Sequence, residues 1–227
     1  MERLTHVQGM ANKLPQMRRF AVCVALLVCV IFDFGYCASA QQQSSASIVG
    51  RWRSLETSKG GIGALIEFRS DGTADFSPGA VVEMPWRIEN NQLIMPSGTN
   101  GGAEQRVNLK WLGDNKVSLV SDATSIELTR VGDRANASSL IIGEWIESRE
   151  MAGRKFEAHY LFYEGGKLLF LMPFVIQHAT YTISGSALNI IMLSPKPESR
   201  SDLFELSDNL LIISRSDSGH KDRYARY

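Results

Sequence analysis

A five-residue stretch in this chain occurs twice. Ile48 to Trp52 reads Ile-Val-Gly-Arg-Trp, and Ile141 to Trp145 reads Ile-Ile-Gly-Glu-Trp. Further matches follow in the same order: Phe68 and Phe76 with Phe162 and Phe170, Trp86, Ile88 and Leu93 with Tyr181, Ile183 and Leu188, and Arg130 with Arg226. Because the offset stays between 93 and 96 residues across these pairs, the pattern indicates a whole unit repeated in tandem.

The repeat predicts two domains within the 227 residues, each of about 90 residues, which is a common domain size. We place the first copy at residues 48–133 and the second at residues 140–227. The polar segment between them, residues 134–139, is a linker short enough to keep the two domains close.

Residues 1–40 have the composition of a secretory signal peptide. Basic residues at Arg18 and Arg19 precede an apolar run from Phe20 to Phe32, and Ala38-Ser39-Ala40 is a small-residue cleavage pattern. The run is shorter than the roughly 20 apolar residues of a membrane span. We therefore expect translation to start at Met17, cleavage after Ala40, and a periplasmic or secreted mature protein without a stable membrane span.

Cysteine and charge content narrow the possibilities further. The chain's three cysteines, Cys23, Cys29 and Cys37, all lie in the predicted signal peptide, so the mature chain is expected to have no disulfides. The bulky Tyr36 directly before Cys37 argues against a lipid anchor. Removal of residues 1–40 leaves 20 basic and 22 acidic side chains, a balance that offers no electrostatic surface for nucleic acid or anionic membranes.

From residue 49 onward, short runs of β-branched and aromatic residues alternate with Gly, Asp, Asn and Ser turns, and no helical period is sustained. The pattern predicts an all-β protein with eight antiparallel strands in each copy. The predicted strands are 49–56, 62–69, 73–76, 81–89, 92–95, 105–112, 116–121 and 125–131, then 142–150, 154–163, 167–173, 176–183, 187–193, 201–207, 209–214 and 221–227. Such strands suit two small up-and-down barrels, and short local hairpins argue against one larger sheet shared by both copies.

Each copy resembles a small bacterial lipocalin-like domain of the calycin type. The resemblance is carried by Gly50-x-Trp52 and Gly143-x-Trp145 on the opening strands and by Arg130 and Arg226 on the closing strands. In that superfamily the closing arginine packs over the opening tryptophan, so the resemblance implies a structural role in barrel closure for Trp52, Arg130, Trp145 and Arg226. Each copy is shorter than a full lipocalin, so a roomy ligand cup does not follow from the resemblance.

Residues suited to catalysis or metal binding are sparse. The mature sequence has no Gly-x-Ser-x-Gly and no cysteine nucleophile, and its histidines lack partners at metal-ligand spacing. Glu157 and His159 share one face of a predicted strand, an arrangement that allows weak metal binding, but we favour a solvated strand face. Asp217 to His220 is interpreted as a hairpin turn. We therefore predict a protein that is not an enzyme, with no cofactor and no metal.

One apolar run exceeds what a half-exposed strand requires. Leu168 to Ile176 contains nine residues without a polar side chain, whereas a strand with one wet face should alternate. Both faces must then be covered by the other copy, by a partner protein or by an apolar ligand. Phe170, Met172, Phe174 and Ile176 are accordingly the candidate ligand or partner surface.

The sequence thus predicts an exported, non-enzymatic binding protein for a small apolar ligand or a protein surface. The alternative is a periplasmic enzyme inhibitor or accessory subunit. A ligand binder needs a cavity of about 300 Å³ or more with apolar walls. An inhibitor needs a packed barrel and an exposed arm, for which residues 41–47 are the candidate.

Overall fold

A computed structural model describes residues 48–97, 102–122, 124–133, 139–151, 153–193 and 197–227. The predicted signal peptide, the arm at 41–47 and most of the linker lie outside the described residues. The described part contains sixteen strands: β1 (Gly50–Ser54), β2 (Ile62–Phe68), β3 (Thr73–Pro85), β4 (Arg87–Glu89), β5 (Gln92–Pro96), β6 (Glu104–Trp111), β7 (Lys116–Val120), β8 (Ser125–Arg130), β9 (Gly143–Met151), β10 (Arg154–Tyr163), β11 (Lys167–Pro173), β12 (Gln177–Ser184), β13 (Ala187–Met192), β14 (Glu198–Ser207), β15 (Leu210–Ser214) and β16 (Lys221–Arg226).

The all-β prediction is confirmed, and most strand ends fall within a few residues of their predicted positions. The turns follow the expected chemistry. Gly72 has a φ of 83°, and the preceding Asp71 carboxylate accepts a hydrogen bond from the Thr73 N–H at 2.9 Å. Asp208, in the turn between β14 and β15, also has a positive φ of 44°. Aspartate and glycine tolerate these backbone conformations and are favoured in tight turns for that reason.

The sheet order shows one closed, eight-stranded antiparallel barrel. Its ring runs β12-β13-β14-β15-β16-β1-β2-β3, and the pairing of β12 with β3 closes it. The seam between β16 and β1 pairs Trp52 with Arg226, and the closing pair of β12 and β3 sets Gln177 opposite Phe76. A closed ring leaves no free edge among its own strands.

The other eight strands, β4 to β11, continue the sheet outside this barrel, in the order β11-β10-β9-β8-β7-β6-β5-β4 from the second half of β3. They curl around a second hydrophobic core that includes Leu93, Leu128, Trp145 and Phe162. We call this part the curled sheet. In the described residues β4 pairs only with β5, so the pairings do not complete a second ring.

The prediction of two separate barrels, one at 48–133 and one at 140–227, is wrong. The closed barrel combines β1 to β3 of the first copy with β12 to β16 of the second, and the curled sheet joins strands of both copies. The expectation that local hairpins would prevent one larger sheet is wrong for the same reason. The predicted hairpins form, but after the third strand of each copy the chain passes from one hydrophobic core to the other.

Strand β3 is the element that makes this crossing. The sequence predicts two strands, 73–76 and 81–89, separated by Ser77, Pro78 and Gly79, but these residues are extended within one strand. Its first half pairs with β2 and β12, and its second half pairs with β11. A Cβ at Gly79 would lie 2.6 Å from the Met172 carbonyl oxygen. Glycine therefore lets β3 and β11 approach closely at the crossing point.

The two Gly-x-Trp motifs form matching closures, but each uses the arginine of the other copy. The Arg226 guanidinium lies 4.3 Å from the Trp52 ring, and the Arg130 guanidinium lies 4.2 Å from the Trp145 ring. A cation held over an indole face contributes about 0.5–2 kcal/mol. The pairing of opening and closing strands within one copy, implied by separate barrels, is therefore wrong.

The glycine of each motif makes room for that arginine. A Cβ at Gly143 would lie 2.8 Å from Nη1 of Arg130, and one at Gly50 would collide with Nη1 of Arg226. Each indole N–H also donates to a backbone carbonyl four residues earlier, Trp52 to Ile48 at 2.8 Å and Trp145 to Ile141 at 2.7 Å. In both motifs the guanidinium also donates to the carbonyl of the residue before the glycine, Arg226 to Val49 at 2.6 Å and Arg130 to Ile142 at 2.8 Å. The spacing that the two motifs share is thus a packing requirement, because this carbonyl, the glycine and the indole all contact one guanidinium.

Side chains of its own strands fill the interior of the closed barrel. Its core includes five buried aromatic residues: Trp52, Phe68, Tyr181, Phe204 and Tyr224. The Phe68 and Tyr181 rings pack edge to face at 4.9 Å. Aromatic side chains bury large areas and dominate the energetics of small cores. The closed barrel therefore has the packed interior expected of a structural domain.

Candidate functional site

The four predicted surface residues separate into two groups. Phe170 and Met172 are partly buried and pack against the second core, where the Phe170 ring meets Tyr160 edge to face at 5.1 Å. Phe174 and Ile176 line a groove outside both cores, and Ile176 is 53% exposed. The apolar run therefore covers one core with its first half and opens onto a groove with its second.

The opposite face of the central strands carries a third apolar cluster. It contains Leu65, Val81, Leu161, Leu169 and Leu171, which are all buried, from β2, β3, β10 and β11. Burial of Leu169 and Leu171 explains why the run Leu168 to Ile176 does not alternate, because the first copy covers its second face. This is one of the three coverings that the sequence allows.

An ion pair between the two copies stands beside this cluster. Arg51 donates two hydrogen bonds to Glu144, each 2.6 Å long, and Nδ1 of His159 lies 2.9 Å from a Glu144 oxygen. The Arg51 guanidinium also lies 4.9 Å from the Tyr227 ring. Bidentate pairing of this kind fixes geometry as well as charge.

Burial and pairing act in opposite directions on Glu144. Partial burial disfavours the ionised carboxylate, but the hydrogen bonds from Arg51 and His159 and the nearby positive charge outweigh it and lower the pKa of Glu144 to about 2. Burial raises the pKa of Tyr227 to about 12. The carboxylate is therefore ionised and the phenol neutral across the physiological range, so this cluster is a fixed ion pair.

A groove of about 690 Å³ opens on this face, between strands of the closed barrel and strands of the curled sheet. Its lining residues are Arg51, Leu65, Glu67, Asp75, Ser77, Ser148, Arg154, Lys155, Phe156, Glu157, His159, Leu171, Pro173, Phe174, Ile176 and Tyr227. The volume lies within the range of about 300–1,000 Å³ found for ligand sites. We call this feature the groove.

Most charges in the groove are already paired. Arg69 donates to Glu67 at 2.8 Å and to Asp75 at 2.5 Å, and Asp75 also lies 2.6 Å from Nδ1 of His178. Burial opposes ionisation of Asp75, but its bonds to Arg69 and His178 prevail and lower its pKa. These groups bind one another, and the two carboxylates share the single Arg69 guanidinium.

A second concave site lies at the mouth of the curled sheet. Its volume is about 390 Å³, and its lining residues are Met95, Gln105, Val107, Leu119, Ser121, Thr124, Ile126, Arg149 and Tyr160. Val107, Leu119 and Tyr160 also belong to the second core, so the site is an unfilled end of that core. We call it the cup.

Three polar side chains meet at one side of the cup. The Tyr160 hydroxyl donates to Glu147 at 2.8 Å and accepts from Nη2 of Arg149 at 3.0 Å, while Nε of Arg149 lies 2.7 Å from Glu147. Burial and the neighbouring carboxylate raise the pKa of Tyr160. The phenol therefore stays neutral; its O–H is donated to Glu147, so it can offer a ligand its remaining acceptor lone pair.

The sequence did not lead us to Glu147, Arg149 and Tyr160 as site residues, although the pattern of β9 contained an indication of them. Glu147 and Arg149 follow Trp145 at intervals of two, so all three side chains face the same side of β9. Charged residues on a strand face that begins with a core tryptophan indicate a polar group inside the fold. The ion pair of Arg51 and Glu144 was missed for another reason, because it depends on how the copies meet.

The remaining candidates have local structural roles. His159 of the pair Glu157-x-His159 contacts Glu144, and Asp217 to His220 lies in the connection between β15 and β16, with Ser218 in a turn. Among the described residues no group of three His, Cys, Asp or Glu side chains is arranged to hold a metal ion. No helix in the same part of the chain is long and apolar enough to cross a membrane.

Comparison with family models, with curated proteins and with solved structures found no match to this chain.

Proposed function

We propose that the protein is an exported, non-enzymatic binding protein that holds a small apolar molecule in the cup. The observation that carries the proposal is the cup itself, a cavity of about 390 Å³ at the end of a hydrophobic core. Its volume exceeds the roughly 300 Å³ that a small-ligand site requires. The signal peptide predicted from residues 1–40 supports export.

The walls of the cup indicate the chemistry of the ligand. Met95, Val107, Leu119 and Ile126 supply apolar contact, and Tyr160 and Arg149 supply a polar point at one side. A ligand with an apolar body and one hydroxyl or amide group would satisfy both parts. Such a ligand would gain about 25 cal/mol for each Å² of apolar surface removed from water.

The alternative, an inhibitor that inserts an arm into a partner, depends on residues 41–47, which lie outside the described residues. The packed interior of the closed barrel agrees with it equally well. The cup favours the binding protein, because a protein that only presents an arm has no use for an unfilled core.

Native mass spectrometry of residues 41–227, purified from the native host without detergent, tests the proposal. We expect excess mass that disappears on denaturation. The neutral fluorescent probe N-phenyl-1-naphthylamine should bind the delipidated protein with one saturable site. Ile126→Trp should fill the cup and weaken probe binding about tenfold or more, because the larger ring occupies the ligand volume.

Ile62→Trp is the matched control, because Ile62 is 48% exposed on the closed barrel and does not line the cup. This variant should bind the probe like the original protein. A bare chain mass together with unchanged probe binding in Ile126→Trp would refute the proposal and favour a protein partner.

A further inference from the structure

We infer that the protein forms a symmetric dimer through an unpaired edge of strand β10, so that the β9–β10 hairpins of two copies join in one sheet. Three observations carry the inference. The edge lies along the groove, exposed apolar side chains lie beside it, and the charges on it complement a second copy of the same edge.

Strand β10 extends beyond the strand that borders it. Residues 154–162 pair with β9, but pairing with β11 begins only at His159, because β11 continues from Leu171 along β3. Among the described residues, those from Arg154 to Ala158 therefore have a neighbouring strand on one side only. Main-chain N–H and C=O groups along the other side are available to another strand.

The groove runs along this edge rather than over one face of the strand. Successive side chains of a strand point to opposite faces, yet consecutive residues from Arg154 to Glu157 all line the groove. A space that both faces border lies against the edge between them. Phe174 and Ile176 also line it, and Ile176 is 53% exposed, so a strand that binds here would remove apolar surface from water.

The charges on the edge indicate which strand fits. Lys155 and Glu157 are exposed and lie on the same face of β10, and neither forms an ion pair within the described part of the chain. Exposed charges normally keep a strand edge from pairing, because the partner strand must place favourable groups opposite them. A second copy of the same edge, running antiparallel, supplies those groups.

Of the registers centred on the three middle residues of the edge, one is complementary. In a twofold-symmetric antiparallel pair, the residue on the axis lies opposite its own copy. An axis at Phe156 sets Lys155 opposite the partner's Glu157 and Glu157 opposite the partner's Lys155. An axis at Lys155 or at Glu157 instead sets like charges opposite each other. Opposite charges stabilise such a cross-strand pair, and like charges destabilise it.

The other face of the strand agrees with the same register. Phe156 then lies against Phe156 of the partner subunit, and Arg154 lies opposite the partner's Ala158. Cross-strand aromatic pairs stabilise antiparallel sheets. Phe156 is partly exposed in the single chain, so the pairing also removes part of its ring from water. The edge therefore fits a second copy of this chain, and symmetry supplies each charge pair twice.

Sedimentation velocity of residues 41–227 over a range of concentrations tests this inference. The original protein should form a dimer. Lys155→Glu and Glu157→Lys should each weaken the dimer at least about tenfold, because symmetry turns both attractive pairs into repulsive ones. An equimolar mixture of the two variants should form a heterodimer, since each charge of one chain then faces the opposite charge of the other. Both substitutions are at exposed positions, and a melting curve confirms that each variant is folded.

Lys116→Glu and Glu127→Lys are the matched controls. They make the same charge changes at exposed positions of β7 and β8, away from the edge of β10. Each control should dimerise with the affinity of the original protein.

A cysteine at the axis tests the register itself. Residues 41–227 contain no cysteine, so Phe156→Cys introduces a single thiol into each chain. In the inferred register the two thiols lie opposite each other and should oxidise to a covalent dimer. Lys155→Cys, which would face the partner's Glu157, should cross-link more slowly.

Three outcomes would overturn the inference. A monomer at every concentration would leave the edge of β10 free for an extended segment of another protein. A dimer that both charge substitutions leave unchanged would place the contact on another surface. Two monomeric variants that fail to associate when mixed would exclude the pairing of Lys155 with the partner's Glu157.

Discussion

The closed barrel and the curled sheet are built from equivalent strands of the repeat, but their inner faces differ at one end. This is the end at which the curled sheet forms the cup, and we call it the mouth of each part. In the closed barrel the register sets Asp202 opposite Leu188. In the curled sheet the same register sets Val107 opposite Leu93. Asp202 is 3% exposed and pairs with Arg200 at 3.0 Å, whereas Val107 faces the cup together with Gln105.

Under the proposed function, this difference gives the two cores separate roles. Aromatic rings and the buried carboxylate of Asp202, paired with the partly exposed Arg200, fill the closed barrel. The curled sheet keeps its closing tryptophan but leaves one end of its core open. Because the two closures match and the two mouths differ, the proposed function predicts that stability and binding depend on different positions. A change at the mouth can therefore alter binding without undoing the fold.

The first prediction has the largest expected effect and concerns whether one copy can fold without the other. Residues 140–227 expressed alone should fail to fold, because β12 to β16 need β1 and β3 at both ends of their ring and would expose the core that includes Leu188 and Phe204. Co-expression with residues 41–136 should restore a folded one-to-one complex. Circular dichroism and size-exclusion chromatography measure both outcomes.

A folded, monomeric protein from residues 140–227 alone would contradict this prediction. It would mean that the second copy can close on itself, as the sequence repeat suggests. The complementary test with residues 41–136 alone should give the same unfolded result.

The second prediction concerns the ion pair that joins the two copies. The pKa of Glu144 is lowered from an ordinary 4.5 to about 2, so its contribution is full above about pH 4.5 and is lost as the pH falls toward 2. A shift of this size corresponds to about 3 kcal/mol in the free energy of unfolding. Glu144→Gln should lose up to that amount at pH 7 and show less acid dependence.

Urea unfolding at several pH values between 2 and 7 measures this effect. Glu127→Gln is the control, because in the described part of the chain Glu127 forms one exposed contact, with Lys116 at 3.5 Å. This substitution should change stability little. Equal acid dependence in the original protein and Glu144→Gln would exclude the ion pair as its source. The charge reversal Arg51→Glu/Glu144→Arg should recover part of the loss.

The third prediction concerns the residues at the mouth of the closed barrel. Asp202→Val should cost about 2 kcal/mol, because it removes the partner of Arg200 and leaves that guanidinium without its ion pair. Arg200→Gln/Asp202→Val copies Gln105 and Val107 and should recover most of the stability. This double variant should also create a second ligand site, equivalent to the cup, at the mouth of the closed barrel.

Fluorescence titration with N-phenyl-1-naphthylamine counts the sites. We expect one site in the original protein and two in the double variant. A single site in both proteins would show that the aromatic core of the closed barrel, rather than the ion pair, excludes the ligand.

Much of the local structure could be predicted from the sequence. Period-two patterns located the strands, and residues such as Asp71 and Gly72 located turns, because both signals act over a few neighbouring residues. The break at Ser77 to Gly79 was misread, because Pro and Gly usually end a strand. Here the partners of β3 change at that point, and Gly79 is needed for close approach.

The candidate sites were predictable only in part. The apolar run drew attention to Phe174 and Ile176, which the structure places in the groove. It gave no indication of the other lining residues, such as Leu65 and Asp75, because they belong to strands of the first copy that only the fold brings beside the run.

The sequence by itself determined the strands, the turns and the closing chemistry of glycine, tryptophan and arginine. It could not determine which copy supplies each partner, since both copies carry the same closing residues and either arginine fits either tryptophan. The tertiary structure decided that question through β3, whose extended course carries the chain from one core to the other. The position shared by Arg51 and Glu144 gained opposite charges that meet only in this arrangement.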